Sequence, residues 1–181
     1  PKVELVDAAI DHIEGNKLVT RDGAVHEGDV LLIATGFNVL QFLSTYDLVG
    51  RSGKNLRDVW GDEDASAYLG TVIPDFPNFF TLYGPNLQPG HGGSFIFVDE
   101  MQVRYAMQMI DVMARNALGA IECRPDVHDS YIEKVDAIHE NMVWTHPGMT
   151  TYYRNSKGRI VVNSPYRNVD FFEMTKKVNL D

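Results

Sequence analysis

The apolar and polar positions change their rhythm several times along the chain. VELVDAAIDHIEG (3–15) alternates closely enough for one or two strands. NKLVT (16–20) continues the pattern, and RDGAVHEG (21–28) reads as turns, with Asp22–Gly23 a strong turn pair. Together these segments predict a small antiparallel meander. In DVLLIATGF the residues Val30 to Ala34 form an unbroken apolar run, as in a strand buried on both faces of a sheet, and the run stops at Thr35–Gly36. FFTLYG (79–84) is a second short apolar run that ends on glycine. Residues 38–78 keep no period and contain two prolines in TVIPDFPN, which predicts long loops with short helical turns.

Helical spacing takes over after residue 94. Glu100, Arg104, Gln108, Asp111 and Arg115 recur every three or four residues as one polar stripe. Val98, Met101, Tyr105, Met109, Val112 and Met113 lie opposite, so a helix is predicted from about Ser94 to Ala117, with Ser94 as N-cap. Its first turns, Phe95–Val98, are apolar all round and are expected to be buried. PDVHDSYIEKVDAIHENMVW (125–144) predicts a second helix with Ile132, Val135, Ile138 and Met142 on its apolar edge. TTYYRNSKGRIVVNSP predicts a β-hairpin around Asn155–Gly158, and NVDFFEMTKKV a short terminal helix. Two glycine-ended strands joined by a long excursion match the way a nucleotide-binding sheet presents its carboxyl ends to a ligand. The fold class predicted is therefore α/β.

Between the second apolar run and the long helix lies GPNLQPGHGGS (84–94), with four glycines, two prolines and a histidine. A helix start carries unpaired N–H groups and about half a positive charge. At the end of a buried strand it suits a negative group, and glycines let a flat ligand lie against the backbone. The same composition also suits a plain surface loop.

Composition narrows the partners. The formal net charge of −9 over 181 residues, with no block of like charge, argues against nucleic acid and anionic membrane, which call for a basic face. Cys123 is the single cysteine, so no internal disulfide or cysteine-based metal site forms, and a cytoplasmic setting is expected. No apolar run reaches the ~18 residues of a membrane span. No metal site is read from the histidines. The chain opens on PKVELV without methionine or lead-in, which reads as the end of a longer protein.

DVLLIATGF, YLGTVIPDFPNFFTLYGPN, GHGGSFIFVDEMQVRY and VWTHPGMTTYYRNSKGRIVVNSPYR, in that order, resemble the C-terminal third of flavin-containing monooxygenases. The likeness is nearest to the Baeyer–Villiger type, in the branch of 4-hydroxyacetophenone monooxygenase, and runs from about residue 3 to 175. It implies an incomplete FAD/NAD(P)-binding Rossmann-like domain. Residues 1–36 would end the nicotinamide domain and cross back to the flavin domain, and 37–181 would be the C-terminal part of the latter. It implies FAD and NADPH as cofactors and a ketone as substrate, oxidised to an ester through a flavin C4a-peroxide. Thr35, Gly36, Gly84, Pro85, Asn86, Gly92, Gly93, Ser94 and Phe95 would contact cofactor, and His91 and Trp144 the substrate pocket.

The likeness has gaps. Neither GxGxxG phosphate fingerprint is present, nor the FxGxxxHxxxW signature, nor the arginine that stabilises the peroxide. No catalytic residue is therefore placed in this chain, and alone it is expected neither to hold FAD tightly nor to turn over. Arg154, Arg159 and Arg167 read as solvated surface. Two other readings stand beside the ketone one. The first is oxidation of nitrogen or sulfur, and the second is a non-catalytic module that pairs into a homodimer through apolar surfaces left uncovered.

Overall fold

Residues 3–90 and 92–180 are described by the computed structural model. They fall into two units, Pro1–Phe37 and Asn38–Asp181.

In the first unit, the strands β1 (Ile10–Glu14), β2 (Lys17–Thr20) and β3 (Val25–Glu27) form an antiparallel sheet in that order. Gly15, at φ 61°, makes the tight turn between β1 and β2, and Ile13 pairs with Leu18. The second turn is fastened by Asp22, whose carboxylate accepts from the Thr20 hydroxyl at 2.5 Å and the Ala24 N–H at 3.1 Å. The segment read as turns thus contains a third strand. The run Val30–Ala34 is not a buried strand: Val30, Leu32 and Ile33 are each more than three-quarters exposed. A strand of that kind needs neighbours on both sides to pair its backbone, and the described residues of this unit supply none.

The second unit is built on α1 (Leu56–Trp60), α2 (Phe95–Asn116), α3 (Pro125–His139) and α4 (Asn168–Met174), with a 3₁₀ turn at Val143–Thr145. α2 forms where its spacing predicted it, and it buries Val98, Gln102, Tyr105, Ala106 and Met109. Arg104 tightens α2 against α4, lying 4.3 Å from the centre of the Phe172 ring and donating to the Phe172 carbonyl. α3 stops five residues short of the predicted helix and turns Tyr131, Val135 and His139 inward. Ile138 is instead part exposed.

One apolar core gathers Leu69, Leu87, Val98, Tyr105, Val135 and Phe171; a second holds Leu56, Trp60, Ile73, Phe76 and Val161. Residues 79–84 are loop, not strand. The predicted hairpin reduces to one bridge, Arg154 with Ile160. Its return arm pairs elsewhere: Gln88 and Asn163 form a parallel bridge, and Asn86 and Gln88 donate to the Val161 and Val162 carbonyls. Burial of Ile160–Val162 against the core outweighs the local hairpin preference.

Arg159 ties the loops together. Its guanidinium, 16% exposed, reaches Asp136 at 3.0 Å and Asp64 at 3.3 Å, and donates to the Ala65 carbonyl. Burial by itself raises the Asp64 pKa, but the Lys157 and Arg159 cations outweigh it and hold the carboxyl below its usual value. A depressed folded pKa contributes stability above the unfolded value of about 3.9, lost as the pH falls through the folded one. The urea midpoint is therefore expected to drop steeply below about pH 4, with Asp64→Asn flattening that drop by on the order of 1 kcal/mol. Denaturation curves at pH 7 and pH 3 measure both.

Candidate functional site

The loop from Gly84 to Phe95 is held from beneath by backbone-to-backbone packing. A methyl group on Gly84 would lie 2.2 Å from the Gly70 carbonyl oxygen and 2.7 Å from Thr81 Oγ1. Gly70, at φ 59°, is in turn closed off by Leu87 at 2.4 Å. Tyr83 and Asn86 are both left-handed, at φ 50° and 59°. Such a backbone is uncommon for a non-glycine residue, and for tyrosine it costs about 1–3 kcal/mol. Pro85 and Asn86 are buried, and the Asn86 side chain donates to the Ile160 carbonyl at 2.8 Å. Arg159 reaches the Asn86 carboxamide oxygen at 3.4 Å.

Gln102 locks this loop to α2. It is fully buried, accepts from the Tyr83 N–H at 2.7 Å, and donates to the Gly70 carbonyl, the Thr71 hydroxyl and the Thr81 carbonyl. Its position within an apolar helical face was the signal available in the sequence: Val98, Gln102, Tyr105 and Met109 share one spacing.

The far end of the loop is open. Gly92 and Gly93 are exposed at φ 88° and 119°, and a side chain at Gly92 would meet nothing within 4 Å. Gly93 packs on Asn168. Ser94 is the N-cap residue of α2, yet its hydroxyl makes no capping bond, and the first turn carries no acidic side chain. The N–H groups there keep their partial positive charge uncompensated. Phe95 and Ile96 are 54% and 57% exposed, so the helix start is not buried as expected; Phe95 leans edge-on against Tyr83 at 5.8 Å. Asp99 follows one turn later. Burial raises its pKa above its usual value, against the lowering effect of the Tyr83 N–H, and one of its oxygens is out of contact with solvent and has no partner.

Trp144 joins the glycine loop. A methyl group on Gly90 would sit 2.9 Å from Trp144 Cζ2 and 3.4 Å from the Asn163 amide nitrogen. The indole stands edge-on to Tyr153 at 5.6 Å, and Arg154 donates to the Trp144 carbonyl. His91, the other predicted pocket residue, lies outside the described residues. Thr35 and Gly36 belong to the first unit, where both are exposed and Gly36 has φ 83°. Of the three arginines read as surface, Arg159 is mostly buried and Arg154 half-buried, while Arg167 pairs with Asp170 at 2.7 Å on the outside. No described helix is long and apolar enough to cross a membrane.

The glycine loop is thus pinned underneath and leads to a helix start with no side-chain capping bond and no acidic residue in its first turn. Comparison with known proteins makes the chain a homologue of monooxygenases. An uncharacterized monooxygenase of Sinorhizobium fredii is 44% identical over 181 residues, which is 100% of this chain and 27% of that protein. The homologues include Baeyer–Villiger monooxygenases: one from Streptomyces coelicolor is 30% identical over 183 residues, covering 99% of this chain and 34% of its own length. Among solved structures, that of OTEMO in complex with FAD and NADP superposes with a TM-score of 0.77 at 25% identity, covering 94% of this chain and 31% of that one. No protein-family model matches. The chain thus spans about a third or less of the length of the curated relatives it matches.

Proposed function

We propose that this chain is the part of an FAD- and NADPH-dependent Baeyer–Villiger monooxygenase that completes the flavin pocket and one wall of the substrate pocket. The reaction is insertion of an oxygen atom beside a ketone carbonyl to give an ester. The observation that carries this reading is the loop Gly84–Phe95 with its pinned glycines, followed directly by the uncompensated start of α2, in a chain homologous to Baeyer–Villiger enzymes. Gly84, Pro85 and Asn86 fix the floor, and Gly92, Gly93, Ser94 and Phe95 face the ring. Thr35 and Gly36 contact cofactor where residues 1–36 end the nicotinamide domain and the chain enters the incomplete Rossmann-like flavin domain of 37–181. His91 and Trp144 line the substrate side.

The residues present fit a flavin. When bound, FAD supplies the oxygen activation that no amino-acid side chain provides. The chain's own contribution is electrostatic and steric. The α2 N–H groups favour negative charge at the ring edge, and the glycines admit the ring plane. Neither dinucleotide fingerprint is present, so the 181-residue chain alone holds FAD weakly and is inactive.

The test is the full-length enzyme. It is expected to purify yellow with one FAD, to consume NADPH when given cyclohexanone, and to release the ring-expanded ester. Oxidation of a thioether with no ester from any ketone would move the assignment to heteroatom oxidation. A colourless protein that reconstitutes with no flavin would refute it.

A further inference from the structure

We propose that the cavity between α3, the end of α4 and Tyr68 binds a monocarboxylate with an apolar tail, held by the Tyr131 hydroxyl and the Lys134 ammonium. α3 supplies one wall: Val127, Ser130, Tyr131 and Lys134 recur every three or four residues and so share one face of the helix. Tyr68, Tyr166 and Met174 close the other side of a cavity of about 340 Å³. That volume lies in the range of small-ligand sites, about 300–1,000 Å³. Tyr131 is buried, and its ring is fixed by Tyr68, edge-on at 5.2 Å, and by Tyr166, stacked at 6.3 Å. Its hydroxyl is nevertheless out of contact with solvent and without a hydrogen-bond partner. Buried polar groups are nearly always paired, and phenylalanine would fill the same volume with nothing left unsatisfied.

The charges around the cavity select the ligand. Asp126 lines it, but Arg124 holds both oxygens of that carboxylate, at 3.1 and 2.7 Å. Lys134 lines it with no ion pair among the described residues, so the uncommitted charge is positive. Burial, reinforced by Tyr166 and Tyr68, pushes the Tyr131 pKa up, so its hydroxyl stays protonated and donates. An alcohol would pair the hydroxyl and leave the lysine unanswered, and an amine would be repelled by the lysine. A carboxylate answers both: its oxygens accept from the Tyr131 O–H and from the Lys134 ammonium. The walls decide the rest of the molecule. Tyr68 and Val127 also border a second cavity, of about 170 Å³, whose far walls include Val72, Met109, Ile121 and Val178. Its acidic residue, Glu122, has one oxygen held by Arg51 at 2.6 Å. An inorganic anion gains nothing from these apolar walls, whereas a tail of several carbons does. No residue of the loop Gly84–Phe95 lines either cavity, so the inference stands apart from the flavin reading.

The chain has seven methionines, and their isotope-labelled methyl groups give a direct probe by NMR. Met174 lines the cavity, whereas Met107 is exposed on α2 and lines neither cavity, so it serves as the internal reference. In a titration of the 181-residue chain at neutral pH, the Met174 signal, assigned by its loss in Met174→Leu, is expected to shift with octanoate. 1-Octanol, which lacks the charge, binds at least about tenfold more weakly. Octylamine and acetate do not bind. Tyr131→Phe raises the unfolding temperature of the free chain and weakens octanoate about tenfold. Lys134→Gln, a change at an exposed side chain, leaves the unfolding temperature as it is and weakens octanoate about threefold, with no effect on 1-octanol. Equal binding of octanoate and 1-octanol, the result for a merely greasy cavity, overturns the proposal. So does the absence of any shift with octanoate, or acetate binding as tightly as octanoate. A Tyr131→Phe chain that gains stability and binds octanoate as before, the result for a hydroxyl paired only with water, overturns it as well.

Discussion

Gly84→Ala is expected to destabilise the chain by about 3 kcal/mol or more, the largest effect of any single methyl group in the second unit. The added carbon would stand 2.2 Å from the Gly70 carbonyl oxygen and 3.1 Å from its carbonyl carbon. Real carbon atoms do not approach so closely, and the obstacle is backbone, which has no rotamer to swing away. Relief requires the 84–88 and 69–71 segments to separate, which stretches the Asn86 and Gln88 bonds to the Val161 and Val162 carbonyls. Gly92→Ala is the comparison: its methyl meets nothing, so only the positive φ is penalised, at about 1 kcal/mol. Urea denaturation of the two variants reads the difference. A Gly84→Ala midpoint close to wild type would mean that the two loops do not touch.

Gln102→Met should cost about 3 kcal/mol although it conserves volume. The wild-type carboxamide serves one donor and three acceptors inside the protein. On its removal, the Gly70 carbonyl keeps the Thr81 hydroxyl, and the Thr71 hydroxyl keeps the Leu69 carbonyl. The Thr81 carbonyl loses the one side-chain donor described for it and the Tyr83 N–H is left with the Asp99 carboxylate, and an unpaired buried group costs about 1–3 kcal/mol. Against a typical total of about 5–15 kcal/mol this is a large fraction. Amide exchange at Tyr83 separates the mechanisms: lost pairing speeds that amide far more than its neighbours, whereas general loosening speeds all of α2 together.

How far the sequence could be read follows from the range of the forces involved. α2 and α4 were legible because helical bonds are local and their apolar spacing survives any tertiary context. The meander was legible for the same reason, with its tight turn at Gly15 and the Asp22–Gly23 pair. Val30–Ala34 and 79–84 have the composition of buried strands, but a strand exists only through its neighbours, and the described residues provide none. The Asn155–Gly158 turn was recognised, whereas the parallel pairing of Gln88 with Asn163 was not, since nothing in either segment names a partner 75 residues away. Arg159 looked like any surface arginine because Asp64 lies 95 residues earlier in sequence. In the site, the glycines and Trp144 were visible as residue types. Gln102 was marked only by its place on the apolar face of α2, and Asn163 by nothing, because a buried amide in a loop is distinguished from an exposed one only by what surrounds it.

The claim on which the rest depends is that the backbone from Gly84 through the first turn of α2 lies against an isoalloxazine ring. Hydrogen–deuterium exchange on the full-length enzyme, flavin-loaded against flavin-stripped, measures this directly. The account predicts that the amides of residues 92–98 are strongly protected by the flavin, with little change along the outer face of α3. Equal exchange across 84–98 in the two states, with flavin demonstrably bound, would contradict it.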